Sequence, residues 1–119
     1  MGDYDKAIEY LEKSCIVLKE VGVGYHWLIQ PTTALFLTCK NLGREFDKEE
    51  IHTIVHNSES FEFYINIRLY KLLDDRTYLE TAYSQVQKIS HYLEPDIAKK
   101  FINYPIPKKI IDEYKKVIS

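Results

Sequence analysis

The chain has 119 residues, 45% hydrophobic and 29% charged, with a formal net charge of −2. That length suits one globular domain with a modest core, and the charge lacks the cationic excess by which proteins displace counterions from DNA or RNA, so no nucleic-acid partner is expected. No apolar run approaches the ~18 residues of a spanning helix, so no membrane insertion is expected either.

Met1-Gly2-Asp3-Tyr4-Asp5 is acidic and has neither the basic nor the apolar region of a signal peptide. Lys6 stands where a myristoylation signal needs Ser or Thr. Cys15 and Cys39 lie in apolar segments without CxxC spacing, a pattern of free thiols that favours the cytoplasm.

A first helix is expected over about residues 3 to 20. Tyr4, Ala7, Ile8, Leu11, Ser14, Cys15 and Leu18 recur at steps of three and four, and Asp3 is positioned to cap them. Val21-Gly22-Val23-Gly24 stops that helix, and a loop is expected to run on to Gln30. Pro31 fits the first turn of a second helix, about 31 to 42, closed by Gly43.

Asp47 or a neighbour starts a third, half-exposed helix along Ile51, Ile54, Val55 and Ser58. A fourth, about 61 to 73, is apolar at almost every angle from Phe61 to Leu73, which predicts a helix sandwiched between neighbours. The fifth, about 76 to 92, returns to a single stripe: Tyr78, Leu79, Ala82, Tyr83, Val86, Ile89 and Leu93 inside, with Glu80, Thr81, Ser84, Gln87, Lys88 and His91 wet.

Pro95 opens a short helix to about Asn103. Tyr104-Pro105-Ile106-Pro107 is then expected to be extended before a last helix carrying Ile110, Ile111, Tyr114, Val117 and Ile118 on its apolar face. Charge is uneven: Glu45, Asp47, Glu49, Glu50, Glu59 and Glu62 crowd the middle and Lys99, Lys100, Lys108, Lys109, Lys115 and Lys116 the end. Solvated faces account for this, with head-to-tail contact between copies as the alternative.

Gly2-Asp3-Tyr4-Asp5-Lys6-Ala7-Ile8-Glu9-Tyr10-Leu11-Glu12-Lys13 resembles the turn and second helix of a tetratricopeptide repeat, with Gly2 at the turn and Ala7 at the close-packing position. Leu42-Gly43-Arg44-Glu45-Phe46-Asp47 looks like the same turn in a second repeat, and Phe61 to Ser90 like a degenerate third, with Asp74-Asp75-Arg76 in place of the turn glycine. Second helices starting near Asp3, Asp47 and Asp75 depart from the family's period of about 34 residues. The expected loop to Gln30 explains the first gap and nothing explains the second, and Glu49 stands where a small residue belongs.

The resemblance implies an all-α, right-handed superhelix of about two and a half hairpins over residues 2–93. Residues 94–119 would form a C-terminal cap, giving a single domain over 1–119. A chain that opens on the second helix of a hairpin is expected to be a piece of a longer array.

Catalytic and cofactor chemistry find little support. Gly22-x-Gly24 lacks the rest of a dinucleotide or phosphate-loop fingerprint and reads as a turn. His52-x-x-x-His56 shares a helix face and could contribute two zinc ligands, but Thr53 occupies the position of a metalloprotease glutamate, and two surface histidines are the simpler reading. No cofactor, metal or enzymatic activity is expected.

The resemblance implies instead a protein or peptide partner bound in a groove lined by the first helices of the hairpins, here the second and fourth. Thr33, Lys40 and Asn41 on the one, with Asn66, Arg68 and Lys71 on the other, are the expected contacts. Asn66 and Arg68 on a mostly buried helix must find partners, either a ligand carboxylate or backbone, or an internal group such as Glu62, Asp74 or Glu80. The alternative function is a regulatory or oligomerising segment of a larger signalling protein or transcription regulator, a homodimer forming through the exposed first helix.

Overall fold

The computed structural model describes residues 2–22, 24–58 and 60–118, with the side chains of 2–4, 25, 26 and 118 left aside. The described residues form seven helices and no strands: α1 (Gly2–Val21), α2 (Tyr25–Asn41), α3 (Lys48–His56), α4 (Phe63–Leu73), α5 (Arg76–Tyr92), α6 (Pro95–Phe101) and α7 (Pro105–Ile118). None of these helices is long and apolar enough to cross a membrane. They fall into two compact units, Met1–Phe61 and Glu62–Ser119.

In the first unit α2 packs on α1 and α3. Ile8 and Cys15 of α1, Leu28, Ile29, Leu35 and Phe36 of α2, and Ile51 and Ile54 of α3 are buried. The Cys15 Sγ lies 3.6 Å from the Thr32 Oγ1, a buried polar contact between α1 and α2. Both cysteines are free, Cys15 buried and Cys39 half-buried. The Lys19 Nζ donates to the Glu50 Oε1 at 2.6 Å, and the Arg44 Nη2 to the Asp5 Oδ1 at 2.8 Å.

α2 begins six residues earlier than expected, so residues 25–30 of the expected loop are helix and Pro31 is internal to it. A proline there removes one backbone hydrogen bond and crowds the preceding turn. Burial of Leu28 and Ile29 immediately before Pro31 is the tertiary gain that overrides this local penalty. Most of the extra length between the first two turn motifs therefore belongs to α2. α1 likewise begins at Gly2, which places that glycine in the helix rather than in a turn; the capping side chain expected of Asp3 lies outside the described residues, as do Val23 and Glu59.

Gly43 ends α2 as expected. At φ 74° it takes the left-handed conformation, with Gly43 N donating to the Lys40 carbonyl at 3.0 Å and Arg44 N to the Cys39 carbonyl at 2.8 Å. This pair of bonds satisfies carbonyls that the helix end leaves open. Asp47 then caps α3, its Oδ1 accepting from Glu49 N at 3.0 Å and Glu50 N at 3.3 Å.

In the second unit α5 is the hub, packing on α4, α6 and α7. Ile67, Leu79, Ala82, Val86 and Ile110 form its core, flanked by Phe63, Tyr70, Phe101 and Ile111. Tyr83 and Tyr114 stack with centroids 3.8 Å apart. No residue of α4 is exposed, whereas α5 keeps the expected wet face.

Asp74 turns the chain between α4 and α5 in the left-handed conformation, φ 53°, the role a glycine would otherwise fill. Asp75 caps α5 by accepting from Thr77 N at 2.9 Å. The expected extended stretch at 104–107 is corrected: Pro105 and Pro107 lie in the first turn of α7. That turn has no intrahelical acceptors for its N–H groups, so neither proline loses a bond there.

Asp47→Ala removes the α3 cap without touching the core. It is expected to destabilise the chain by about 1 kcal/mol in urea unfolding, while Asp47→Asn, which keeps an acceptor, stays close to the parent.

Candidate functional site

The six expected contact residues divide between the units and differ in how much surface they offer. Thr33 is wholly buried, and its hydroxyl donates to the Ile29 carbonyl at 2.7 Å and the Gln30 carbonyl at 3.1 Å. These bonds serve its own helix. Lys40 is half-buried and Asn41 exposed at the C-terminal end of α2.

Asn66 is 3% exposed, and its Nδ2 donates to the Gln85 Oε1 at 2.9 Å. The contact is internal, between α4 and α5, and Gln85 is the partner it gives Asn66. A pocket of about 440 Å³ opens beside it, lined by Glu62, Phe63, Gln85, Lys88 and Ile89.

Arg68 and Lys71, three residues apart, share one face of α4, with Tyr64 a turn before Arg68. Both cations are half-buried. Loss of solvation pushes the Arg68 pKa down, and the nearby Tyr64 opposes this. Tyr64 is pushed up by its hydrogen bond with Glu62 and by burial.

Lys71 is lowered to about 8, first by burial and then by the amine of Lys109 hydrogen-bonded to it, with Glu113 acting the other way. Glu113 also accepts from the Tyr70 Oη at 2.9 Å, and Tyr70 is raised by burial and by that bond. α7 thus supplies a cation and a carboxylate to the α4 face.

Tyr64, Lys109 and Glu113 were missed as members of this cluster. The spacing of Tyr64 to Arg68 is visible in the sequence, but the meeting of α4 with α7 is tertiary. His52 and His56 are both exposed on α3. Among the described residues, no three of His, Cys, Asp or Glu come together as a metal ion would need. Comparison with family models, with curated proteins and with solved structures finds no match to this chain.

Because the folded protein releases the Lys71 proton near pH 8 and the unfolded chain only near ~10.4, the unfolded chain binds more protons between these values. Stability therefore rises with pH across that window, by about 1 kcal/mol for a site this open to solvent. Lys71→Met is expected to remove that rise, read as the difference between parent and variant unfolding curves from pH 7 to 10.

Proposed function

We propose that this chain is a non-enzymatic protein–protein interaction module of the tetratricopeptide-like helical-hairpin kind, acting in the cytoplasm and binding an acidic or C-terminal peptide segment. The observation that carries the reading is the pair of half-buried cations on α4, Arg68 and Lys71, whose charge is disfavoured by lost solvation. A ligand carboxylate restores what burial removes, and a guanidinium offers it a bidentate fork.

The turns support the family reading. Gly43 and Asp74 each reverse the chain through a left-handed residue, and Asp47 and Asp75 each cap the helix that follows. On this reading α2 and α4 are the first helices of their hairpins.

The test is selection of C-terminal peptides from a displayed random library against the whole chain, followed by titration of the selected peptides with free and amidated C-termini. Arg68→Ala and Lys71→Ala are each expected to weaken binding about tenfold, since a charged hydrogen bond contributes ~1.5–3 kcal/mol. Lys40→Ala should weaken it less. Selected peptides that bind both α4 variants as tightly as the parent would remove the assignment.

Asn66→Ala separates structure from recognition. It strands the Gln85 amide in a partly buried place, so it is expected to lower stability by about 1–2 kcal/mol in urea unfolding. Peptide affinity of the folded fraction should be unchanged.

A further inference from the structure

The outer surface of α1 is unlike that of any other helix here. Ile8 and Cys15 point into the first unit, yet Tyr10 is 71% exposed, Val17 54% and Val21 71% on another side of the same helix. Ala7, Tyr10, Ser14, Val17 and Val21 follow steps of three and four, the spacing of a coiled-coil seam. Ala7 is exposed as well. A depression of about 460 Å³ runs along this face, lined by Tyr10, Lys13, Ser14, Val17 and Leu18.

The residues flanking the seam identify what it fits. On the open side stand Lys6, Lys13 and Glu20, one per heptad, all exposed. In an antiparallel pair of identical helices the same flank of each meets its copy, so Lys6 of one faces Glu20 of the other twice over. That alignment sets Ala7 against Val17 and Tyr10 against Ser14, a small residue opposite each large one, so the seam interdigitates. Lys13 falls at the twofold axis facing its copy, but Glu9 already binds it at 3.0 Å within each helix and moderates the repulsion.

We infer that the outer face of α1 is a self-association surface, on which α1 of a second copy packs antiparallel with Lys6 opposite Glu20 and Tyr10 opposite Ser14. A parallel pair would instead set this flank against the opposite flank of the copy, Lys6 near Leu11 and Lys13 near Leu18, with no opposite charge to pair, so the flank favours the antiparallel arrangement. A helix of 20 residues is about 30 Å long. Pairing along that length buries on the order of 1,000 Å², the lower end for a specific interface, so a weak dimer is expected. The surface shares no residue with the α4 cations, so this inference and the peptide-binding reading stand or fall separately.

Sedimentation equilibrium of the whole chain from about 1 to 300 μM tests it. The parent is expected to move from monomer to dimer over that range. Val17→Glu, at an exposed position, should leave a helical monomer by circular dichroism with dimerisation weakened at least tenfold. Lys6→Glu alone sets like charges together and should weaken the dimer several-fold, and Lys6→Glu with Glu20→Lys should restore it. A parent that stays monomeric at 300 μM overturns the inference, as does a dimer indifferent to Val17→Glu. A double swap that fails to restore the dimer overturns the antiparallel register.

Discussion

A helix that leaves none of its eleven residues exposed must find cover for its apolar sides and partners for every polar group it carries, and α4 is such a helix. Ile67 meets the core on α5 and α7, while Ile65, Leu69 and Leu72 are buried as well. Asn66 answers the polar requirement inside the unit, through Gln85. Arg68 and Lys71 are half-buried on the same helix, and lost solvation disfavours the charge of each. The same burial that holds the second unit together therefore keeps two cations partly out of water on α4.

The first unit is built under the opposite condition. Its core is shared by three helices, and α1 commits only part of its circumference to it, leaving Tyr10, Val17 and Val21 in water. The charged contacts that hold α1, Lys19 to Glu50 and Arg44 to Asp5, lie near its two ends and are open to solvent. Exposed ion pairs of this kind contribute between nothing and about 1 kcal/mol each. The hold on α1 is thus mainly the burial of Ile8 and Cys15, and its outer face stays exposed among the described residues.

Legibility followed the physics of each element. α3 and α5 could be read almost to the residue, since each has a capping aspartate and a single apolar stripe, and local signals and burial agree there. Gly43 and Asp74 could be read as turn positions because few side chains tolerate a left-handed residue. Pro31 misled, because its local preference for a first turn was outweighed by the burial of Leu28 and Ile29 before it. Pro105 and Pro107 misled in the other direction, reading as breakers where they begin a helix. Among the expected contact residues, polarity singled out Arg68 and Lys71 as cations on a mostly buried helix. It could not distinguish them from Thr33 and Asn66, whose hydrogen bonds depend on which way the side chain turns and on what α5 presents.

The second apolar face of α1 was present in the sequence all along and was hidden by the first. Ile8, Leu11, Cys15 and Leu18 make one helical stripe, and Ala7, Tyr10, Ser14, Val17 and Val21 make another beside it. Periodicity counts such positions together and reports a single amphipathic helix. Burial separates them, since Ile8 and Cys15 are covered and Tyr10 and Val21 are not. A face with coiled-coil spacing and opposite charges at the two ends of one flank meets a reversed copy of itself with those charges paired, and a polar helix face on a monomer needs neither feature. The sequence pattern thus carries two instructions on one helix, one for folding the unit and one for what the unit meets.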